Sequence, residues 1–418
     1  MGKLSPIAYA IPFFFLLIGV EALVARRLHR RVYRLNDALA DLGTGVLQQV
    51  FGLALKLVIG GAYLALYERA AITHLPEDKV WVWVASFVGV DFFYYWFHRL
   101  SHQINFLWAA HVVHHQSDEY NLAVALRQSA LQPGFSWVFY LPLAILGFSP
   151  TMVFITISFN TLYQFWIHTR LIDRLGPLEL LLNTPSHHRV HHGRNPQYID
   201  RNHAGMLIIW DKLFGTFEPE GEEVIYGITR PLRSWDALWA NIHPWRDLVV
   251  RTQRTPRALD KFKLWFMKPG WAGQGTPDEA PGYYARLDDP KFDPPVDRAS
   301  LRLATYRFVI MTATSLFLIA GLIDGMAAIA LGLLTAVDAL SIGALLEGKA
   351  WMPRVELARL SALGLFAGAA WAWALLPAAG AAALLAVALL STILLRVWRA
   401  RIKSAAVDSP AIGNTTTV

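Results

Sequence analysis

The residues with the clearest chemistry in this sequence are its histidines, because most of them fall into short clusters. His98 and His102 form an HxxxH pair, and a second cluster follows in the segment HVVHH. In an α-helix, residues at positions i, i+3 and i+4 lie on one face, so each cluster can present two or three imidazoles to one metal region. Ten of the 14 histidines belong to this pattern: His98, His102, His111, His114, His115, His168, His187, His188, His191 and His192.

So many imidazoles predict a metal site with nitrogen ligands. The chain contains no cysteine, which excludes thiolate ligands, disulfides and iron–sulfur clusters. A closed zinc site takes about four ligands, so this set of histidines exceeds one metal ion and suits two. Imidazole binds zinc, copper, iron and nickel, and the residues alone therefore do not choose the element. Among the cluster members, His187 is either a ligand or a hydrogen-bond donor beside His188.

Polar residues inside apolar segments extend the pattern toward the histidines. Asp91 lies about two helical turns before the HxxxH pair, and Asn160 and Gln164 precede the isolated histidine at helical spacing. Such groups are costly in a membrane and usually face the interior of a helix bundle. We predict that four residues orient ligands or line a substrate channel: Asp91, Glu119, Asn160 and Gln164. Helix–helix hydrogen bonding is the alternative for Asp91 and Asn160.

The other histidines are isolated in the sequence, and we interpret them as structural residues: His29, His74, His203 and His243. The segment WDKLFGTF, residues 210–217, is typical of a turn packed beneath a site rather than of chemistry.

The elements that carry these residues are predicted to be membrane helices. Hydrophobic residues make up 55% of the 418 positions and charged residues 17%, against roughly 45–50% and 25% in soluble domains. Two short apolar segments, 131–148 and 152–167, are separated by Ser149 and Pro150, and they predict a hairpin that enters the membrane and returns. The predicted spans cover residues 6–25, 46–66, 80–97, 306–322, 326–346, 360–376 and 379–395.

Basic residues predict the side of the membrane that the histidines face. Five arginines lie in residues 26–34, and four basic residues lie in 396–403. Cytoplasmic loops carry an excess of Lys and Arg, and counting spans from either basic cluster places every histidine cluster on the cytoplasmic side. The formal charge of +7 is then explained by cytoplasm and lipid headgroups, and no nucleic acid is required.

The predicted fold class is all-α, a polytopic membrane helical bundle with a histidine-rich dimetal cap on its cytosolic face. We divide the chain into N-terminal transmembrane helices (1–75), a histidine-bearing core (76–230), a cytosolic linker or amphipathic region (231–300), a C-terminal four-helix transmembrane unit (301–400) and a disordered tail (401–418). The C-terminal unit is rich in Ala, Leu and Gly, and we predict almost no chemistry there.

The histidine motifs resemble those of the fatty acid hydroxylase/sterol desaturase superfamily. The resemblance covers residues 80–230 and is carried by DFFYYWFHRLSH, LWAAHVVHHQSDEYNLAVALRQS, LYQFWIHT, NTPSHHRVHHGRNPQYIDRNHAG and LIIWDKLFGTF. Within the superfamily the chain is most similar to the tetrahydrobiopterin-dependent alkylglycerol monooxygenase branch, which cleaves ether lipids. Gln103 departs from that branch, which tends to carry glutamate there. The resemblance implies two iron ions held by His98, His102, His111, His114, His115, His168, His188, His191 and His192.

The activity that the resemblance implies is O2-dependent hydroxylation of a lipid C–H bond by a diiron monooxygenase, with cleavage of the ether bond of alkylglycerols. The sequence shows no GxGxxG nucleotide-binding fingerprint, so electrons would come from a diffusible reductant, tetrahydrobiopterin in this branch, or from a redox partner protein. The alternatives are a sterol, fatty acyl or carotenoid hydroxylase or desaturase, and a histidine-rich metal transporter. The Ala- and Arg-rich composition is typical of a bacterial inner-membrane protein.

Overall fold

The computed structural model describes residues 6–275 and 290–408, and the chain divides into two compact units, Met1–Asp293 and Pro294–Val418. The described residues form helices and two isolated β-bridges, and no β-strand occurs among them. Seven of these helices are long and apolar enough to cross a membrane. The prediction of an all-α, polytopic helical bundle is therefore confirmed, and the chain is an integral membrane protein.

Three helices of the N-terminal unit are candidate membrane spans: α1 (Pro6–Arg27), α2 (Leu35–Ala70) and α3 (Val80–Gln103). At about 1.5 Å per residue, each of them exceeds the roughly 30 Å thickness of the hydrocarbon core. Helix α3 continues past residue 97, where we predicted the span to end, and its last turns carry His98 and His102. The first histidine pair is therefore fixed to the end of a long, continuous helix.

The remaining helices of this unit are shorter, and several of them surround the histidines. Short 3-10 turns cover Val112–His115, Trp137–Tyr140 and Gly176–Leu180. The α-helices are α4 (Asn105–His111), α5 (Leu122–Ala125), α6 (Pro133–Ser136), α7 (Leu141–Ile145), α8 (Pro150–Trp166), α9 (Pro185–His191), α10 (Ile209–Leu213), α11 (Ala237–Arg254) and α12 (Ala258–Phe266).

The predicted hairpin consists of the short helices α6 and α7 followed by the 17-residue helix α8. The side chain of Ser149 accepts a hydrogen bond from the Met152 N–H, and Pro150 occupies the first turn of α8, so this helix begins sharply. Gly147 has φ +95°, and a Cβ there would lie 2.0 Å from the carbonyl oxygen of Thr73. The hairpin turn therefore packs closely on the connection between α2 and α3.

The region 231–300, which we predicted to be a linker or amphipathic segment, contains the amphipathic helices α11 and α12. Leu248 of α11 and Leu264 of α12 are buried together under the histidine-bearing core. On its other face α12 exposes Leu259, Phe262 and Phe266. A helix with one buried face and one exposed aromatic face is typical of segments that lie in the membrane interface.

The C-terminal unit contains four candidate spans: α13 (Arg298–Ile319), α14 (Gly325–Leu346), α15 (Met352–Ala372) and α16 (Ala378–Asp408). Helix α16 is described to Asp408, beyond the boundary at residue 401 that we predicted for a disordered tail. Residues 409–418 of the predicted tail lie outside the described part of the chain.

The C-terminal unit also contains a buried network of charged side chains. Arg307 of α13, Asp338 of α14, and Glu356 and Arg359 of α15 are each at most 7% exposed. Arg307 pairs with Asp338 and lies 2.7 Å from Glu356, and Arg359 lies 3.0 Å from Glu356. Two positive and two negative side chains thus compensate one another and connect three helices.

Candidate metal centre

Nine histidines converge in the N-terminal unit and form two adjacent groups. Within each group, one ring nitrogen of every member lies within 4.8 Å of the others. Their side chains are almost completely shielded from solvent. The five-histidine group comprises His98, His102, His111, His115 and His191, and the four-histidine group comprises His114, His168, His188 and His192.

Neighbouring histidines in the sequence belong to different groups. In HVVHH, His111 and His115 belong to the five-histidine group, whereas His114 belongs to the four-histidine group. The HHRVHH cluster is divided in the same way. Each cluster therefore offers two imidazoles to one group, and HVVHH and HHRVHH each offer one more to the other group. Because adjacent residues of a helix point about 100° apart, a short helical segment that lies between two sites can supply both.

Oxygen acceptors fix the orientation of five of these nine rings, and four of the acceptors are backbone carbonyls. The Nδ1 atoms of His98, His114 and His168 lie 2.7, 2.9 and 2.7 Å from the carbonyl oxygens of residues 203, 127 and 164. His191 Nδ1 lies 2.9 Å from the carbonyl oxygen of residue 201, and His111 Nδ1 lies 2.8 Å from the side-chain oxygen of Gln132. Because a carbonyl oxygen only accepts, Nδ1 carries the proton and Nε2 points its lone pair into the group.

The spacing of the Nε2 atoms fits bound metal ions. His114 and His168 place these atoms 3.2 Å apart, and His168 and His188 place them 3.1 Å apart. In the five-histidine group, His111 Nε2 lies 3.1 Å from His98 Nε2 and from His115 Nε2. Two nitrogens bound about 2.1 Å from one metal at a right angle lie about 3 Å apart. Two lone pairs facing each other at this distance repel unless a cation lies between them.

Buried ring nitrogens without a hydrogen-bond partner also indicate that these groups bind metal ions. The Nε2 atoms of His102, His191 and His192 are buried and have no hydrogen-bond partner. A buried polar atom without a partner costs about 1–3 kcal/mol, and three of them at one site require an explanation. Metal coordination explains these three nitrogens, because each of them belongs to a histidine of one of the two groups.

Burial also keeps the imidazoles neutral, which is the form that binds a metal. Burial lowers the pKa of His111 and of His168 to about 4. Burial, together with the neighbouring imidazoles, holds the pKa of the following residues well below the usual range: His114, His115, His188, His191 and His192.

Asp91, which we predicted to orient ligands or to bridge helices, acts on the site through a loop. Its carboxylate accepts hydrogen bonds from the Asn160 side chain (2.6 Å), the Met206 N–H (2.8 Å), the Leu207 N–H (3.0 Å) and the Trp210 indole (2.9 Å). These bonds join α3, α8 and the segment that follows residue 203, whose carbonyl oxygen holds His98. Asp91 thus holds a supporting loop and does not itself contact the histidine groups.

Asn160 and Gln164 form a polar chain along α8 that ends at His168. The Gln164 amide donates to Asn160 Oδ1 at 2.6 Å, and Tyr94 donates to Gln164 Oε1 at 2.6 Å. It is the backbone carbonyl of Gln164, rather than its side chain, that accepts from His168 Nδ1. The side chains of Asn160 and Gln164 therefore hold α8 against α3 and do not bind the ring directly.

Glu119 contacts cations rather than histidines. Its carboxylate is 4% exposed and lies 2.9 Å from Arg34, 2.7 Å from Arg170 and 2.8 Å from Lys291. Arg170 follows His168 by two residues, so Glu119 fastens the segment that leaves the hairpin. Its contribution to the site is the position of this segment.

His187, which we predicted to be either a ligand or a hydrogen-bond donor beside His188, lies outside both groups. Its ring packs on Phe217 with the centroids 5.3 Å apart, and its Nε2 lies 3.9 Å from Glu179 Oε2. The reason is geometric, since His187 precedes His188 by one helical position and points about 100° away from it.

Three residues near the site were not found by sequence reasoning. Gln132 holds His111, and Arg127 holds His114 through its carbonyl oxygen while its side chain reaches Asp41 and Gln116. His203, which we interpreted as structural, is fully buried, with its ring centroid 5.1 Å from that of His102. Single polar residues between motifs give no periodic signal, so only the folded chain reveals these contacts.

The segment WDKLFGTF supports the site as a turn, in agreement with the prediction. The Asp211 carboxylate accepts hydrogen bonds from the N–H groups of His203 and Ala204, both at 2.8 Å, and from the Thr216 hydroxyl at 2.7 Å. Burial raises the pKa of Asp211 to about 6. This carboxylate fixes the loop whose carbonyl at residue 203 holds His98.

Comparison with known proteins gives the class to which this site belongs. A model of the fatty acid hydroxylase family matches residues 83–216, a stretch that contains all nine clustered histidines. Residues 83–216 are therefore similar to the fatty acid hydroxylase family, and the predicted resemblance is confirmed. No solved structure matches the chain.

Among the relatives are alkylglycerol monooxygenases. The chain is 47% identical to human alkylglycerol monooxygenase over 269 residues, which are 64% of this chain and 60% of the human protein. It is 45% identical to the Xenopus tropicalis alkylglycerol monooxygenase over 268 residues, with the same shares. The chain thus spans about 60% of the length of these relatives. A more distant relative, ornithine lipid hydroxylase OlsE of Rhizobium tropici, is 33% identical over 150 residues, 35% of this chain and 45% of that protein.

Proposed function

We propose that this protein is a membrane-bound, dinuclear iron monooxygenase that uses O2 to hydroxylate a lipid C–H bond and so cleaves the ether bond of alkylglycerols. The observation that carries the proposal is the pair of histidine groups, whose ring nitrogens face inward at metal-ligand spacing inside a fatty acid hydroxylase domain. The alkylglycerol monooxygenases among the relatives support the choice of substrate.

The nine histidines of the two groups would hold two iron ions. Iron fits better than zinc, because activation of O2 requires a metal that changes its oxidation state and zinc does not. When bound, the irons would supply the reduction of O2 and the oxidation of the C–H bond. The chain itself fixes the rings through their Nδ1 hydrogen bonds and keeps the imidazoles neutral by burial. Asp91, Asn160, Gln164 and Glu119 position the helices and loops that carry the ligands.

The proposed reaction balances with one external donor of two electrons. O2 accepts two electrons from the C–H bond and two from the donor. One oxygen atom enters the lipid, and the other leaves as water with two protons. Hydroxylation of the carbon next to the ether oxygen gives a hemiacetal, which collapses to an aldehyde and a glycerol. A tetrahydropterin is the donor that the resemblance implies, and a redox partner protein is the alternative.

We also propose that the histidine groups face the cytoplasm of a bacterial inner membrane. Helix α1 ends with Arg26 and Arg27, and Arg30 and Arg31 follow it, as expected for a cytoplasmic helix end. Reporter fusions test this orientation. A fusion just before α2 or α15 should report a cytoplasmic position, and a fusion just after either helix should report a periplasmic position. A periplasmic signal from a fusion before Leu35 contradicts it.

A second candidate function is hydroxylation or desaturation of another lipid, such as a sterol, a fatty acyl chain or a carotenoid. The similarity to an ornithine lipid hydroxylase favours this alternative, because the name of that relative gives a different lipid. Metal transport, in contrast, requires ligands along a path across the membrane, and the nine histidines form two adjacent groups instead.

The test is product analysis with the purified full-length protein in lipid nanodiscs, supplied with a chain-labelled alkylglycerol, O2 and a tetrahydropterin. We expect labelled aldehyde and about two irons per chain. A hydroxylated lipid without aldehyde favours the second function, and a zinc-filled protein that is inert to O2 favours transport. His114→Ala should lose both iron and activity, whereas the exposed His74→Ala is the matched control and should keep both. Full activity in the His114→Ala variant contradicts the metal assignment.

A further inference from the structure

A cavity of about 380 Å³ opens onto the histidine groups. Four clustered histidines line it: His102, His115 and His191 of the five-histidine group and His192 of the four-histidine group. The cavity therefore faces mainly the five-histidine group. Its volume lies within the range of small-molecule sites, about 300–1,000 Å³.

The other walls combine apolar side chains, such as Val112, Ile199 and Ile228, with charged ones. Helix α11 contributes Asp247 and Arg251, and the segment after α12 contributes Lys268. Arg194, Arg230 and Asp200 also line the cavity. A hydrocarbon chain that filled the cavity would cover these charged groups and remove their hydration, which is unfavourable. A small ligand with apolar faces and polar edges can contact both kinds of wall.

An aromatic surface lies beside the metal ligands in the same cavity. The indole ring of Trp108 lies 4.9 Å from the ring of His102 and 5.7 Å from the ring of His115, measured between centroids. Trp108 is half-buried, so part of the ring is available to a ligand. A planar heterocycle can stack on such a ring in an offset or edge-to-face arrangement.

Asp200 combines a strained backbone with a position between the cavity and the metal ligands. Its φ is +59°, in the left-handed region that non-glycine residues rarely adopt. Such conformations persist where the surrounding structure requires them, and they concentrate at ligand sites. Its Oδ1 lies 3.9 Å from His102 Nδ1, and the side chain is 34% exposed. The strained backbone thus presents a hydrogen-bond acceptor to the cavity, next to the five-histidine group.

We infer that this cavity binds the two-electron donor of the reaction, a small, water-soluble, planar reductant with N–H donors, and that Asp200 accepts hydrogen bonds from those N–H groups. The inference rests on the proposed function. The donor DH2 is oxidised to D and gives up two electrons and two protons, which balance the oxygen atom released as water. Electrons then arrive at the five-histidine group from a bound small molecule, and no protein partner has to dock there.

The experiment measures binding separately from catalysis. Anaerobic equilibrium dialysis of a tetrahydropterin against the iron-loaded, full-length protein gives the Kd directly. Asp200→Asn keeps the size of the side chain and tolerates positive φ, so the backbone is retained while the anionic acceptor is lost. Loss of a hydrogen bond to a charged group predicts a Kd raised about 10- to 100-fold. The matched control is Asp173→Asn, an exposed aspartate outside the cavity, for which the Kd should not change.

A second pair of variants covers the case in which Asp200→Asn does not fold. Thr229→Trp fills the cavity from a wall that contributes no histidine, and binding should be lost, whereas Thr229→Ser leaves the cavity open and binding should persist. Unchanged affinity in both Asp200→Asn and Thr229→Trp overturns the inference. So does a wild-type protein that does not bind the tetrahydropterin and turns over with a redox protein.

Failure of the proposed function has a different signature. In that case the wild-type protein, reduced chemically and mixed with O2 and labelled alkylglycerol, forms no aldehyde, whatever the dialysis shows.

Discussion

Replacement of Gln132 by leucine tests whether ring orientation controls metal binding. Gln132 Oε1 lies 2.8 Å from His111 Nδ1 and is the partner that fixes the tautomer of this ring. Leucine has a similar volume and accepts no hydrogen bond. Loss of such a supporting contact lowers metal affinity about 10- to 100-fold, or roughly 1.4–2.7 kcal/mol. Because His111 belongs to the five-histidine group, the effect should fall on one of the two metal ions.

The assay is iron content per chain after dialysis against a graded series of chelator concentrations. We expect Gln132→Leu to lose one iron at chelator concentrations at which the wild type keeps both. Gln132→Glu retains an acceptor and should restore the second iron. The control is Gln128→Leu, because His114 Nδ1 keeps its 2.9 Å bond to the carbonyl oxygen of residue 127 when that side chain is removed. Equal iron retention by Gln132→Leu and the wild type refutes the reasoning.

Three further predictions concern the ligand set, the pH dependence and the C-terminal unit. His187→Ala should keep two irons per chain, whereas His188→Ala should lose iron; metal analysis decides, and iron loss in both variants would restore His187 as a ligand. Burial alone would raise the pKa of Glu179, but hydrogen bonds to its carboxylate outweigh burial and hold the pKa below its ordinary value of 4.5. The charged Glu179 carboxylate therefore adds to the free energy of unfolding above pH 4.5, and this contribution is lost as the pH falls through the lower pKa of the folded state. Thermal unfolding should accordingly show Glu179→Gln less stable than the wild type at pH 7, with the difference shrinking under acid; a constant difference contradicts this. Arg307→Leu leaves an uncompensated buried carboxylate and should cost about 3–5 kcal/mol, while the double variant with Asp338→Leu should cost less, as measured by thermal unfolding in detergent. A double variant less stable than Arg307→Leu argues against charge compensation.

Most of the fold was predictable from the sequence, because membrane spans depend on local properties. Length and apolar composition determine a span, and the seven candidate spans and the hairpin lie where the apolar segments predicted them. The ends of helices were less predictable. Helix α16 continues past residue 401, since polar residues can extend a helix once its first turns have formed.

The sequence by itself determined which residues converge on the site, since nine of the ten clustered histidines meet in the two groups. What the tertiary structure alone decided is how these nine divide, because the division depends on the direction in which each short helix faces between the sites. His187 shows that clustering in the sequence does not guarantee a place in the groups. It lies one residue before His188 on the helix and faces Glu179 instead. The acceptors that fix the rings, such as Gln132 and the carbonyl of Arg127, belong to loops without periodicity. Long-range packing brings them to the site, and no local pattern encodes that packing.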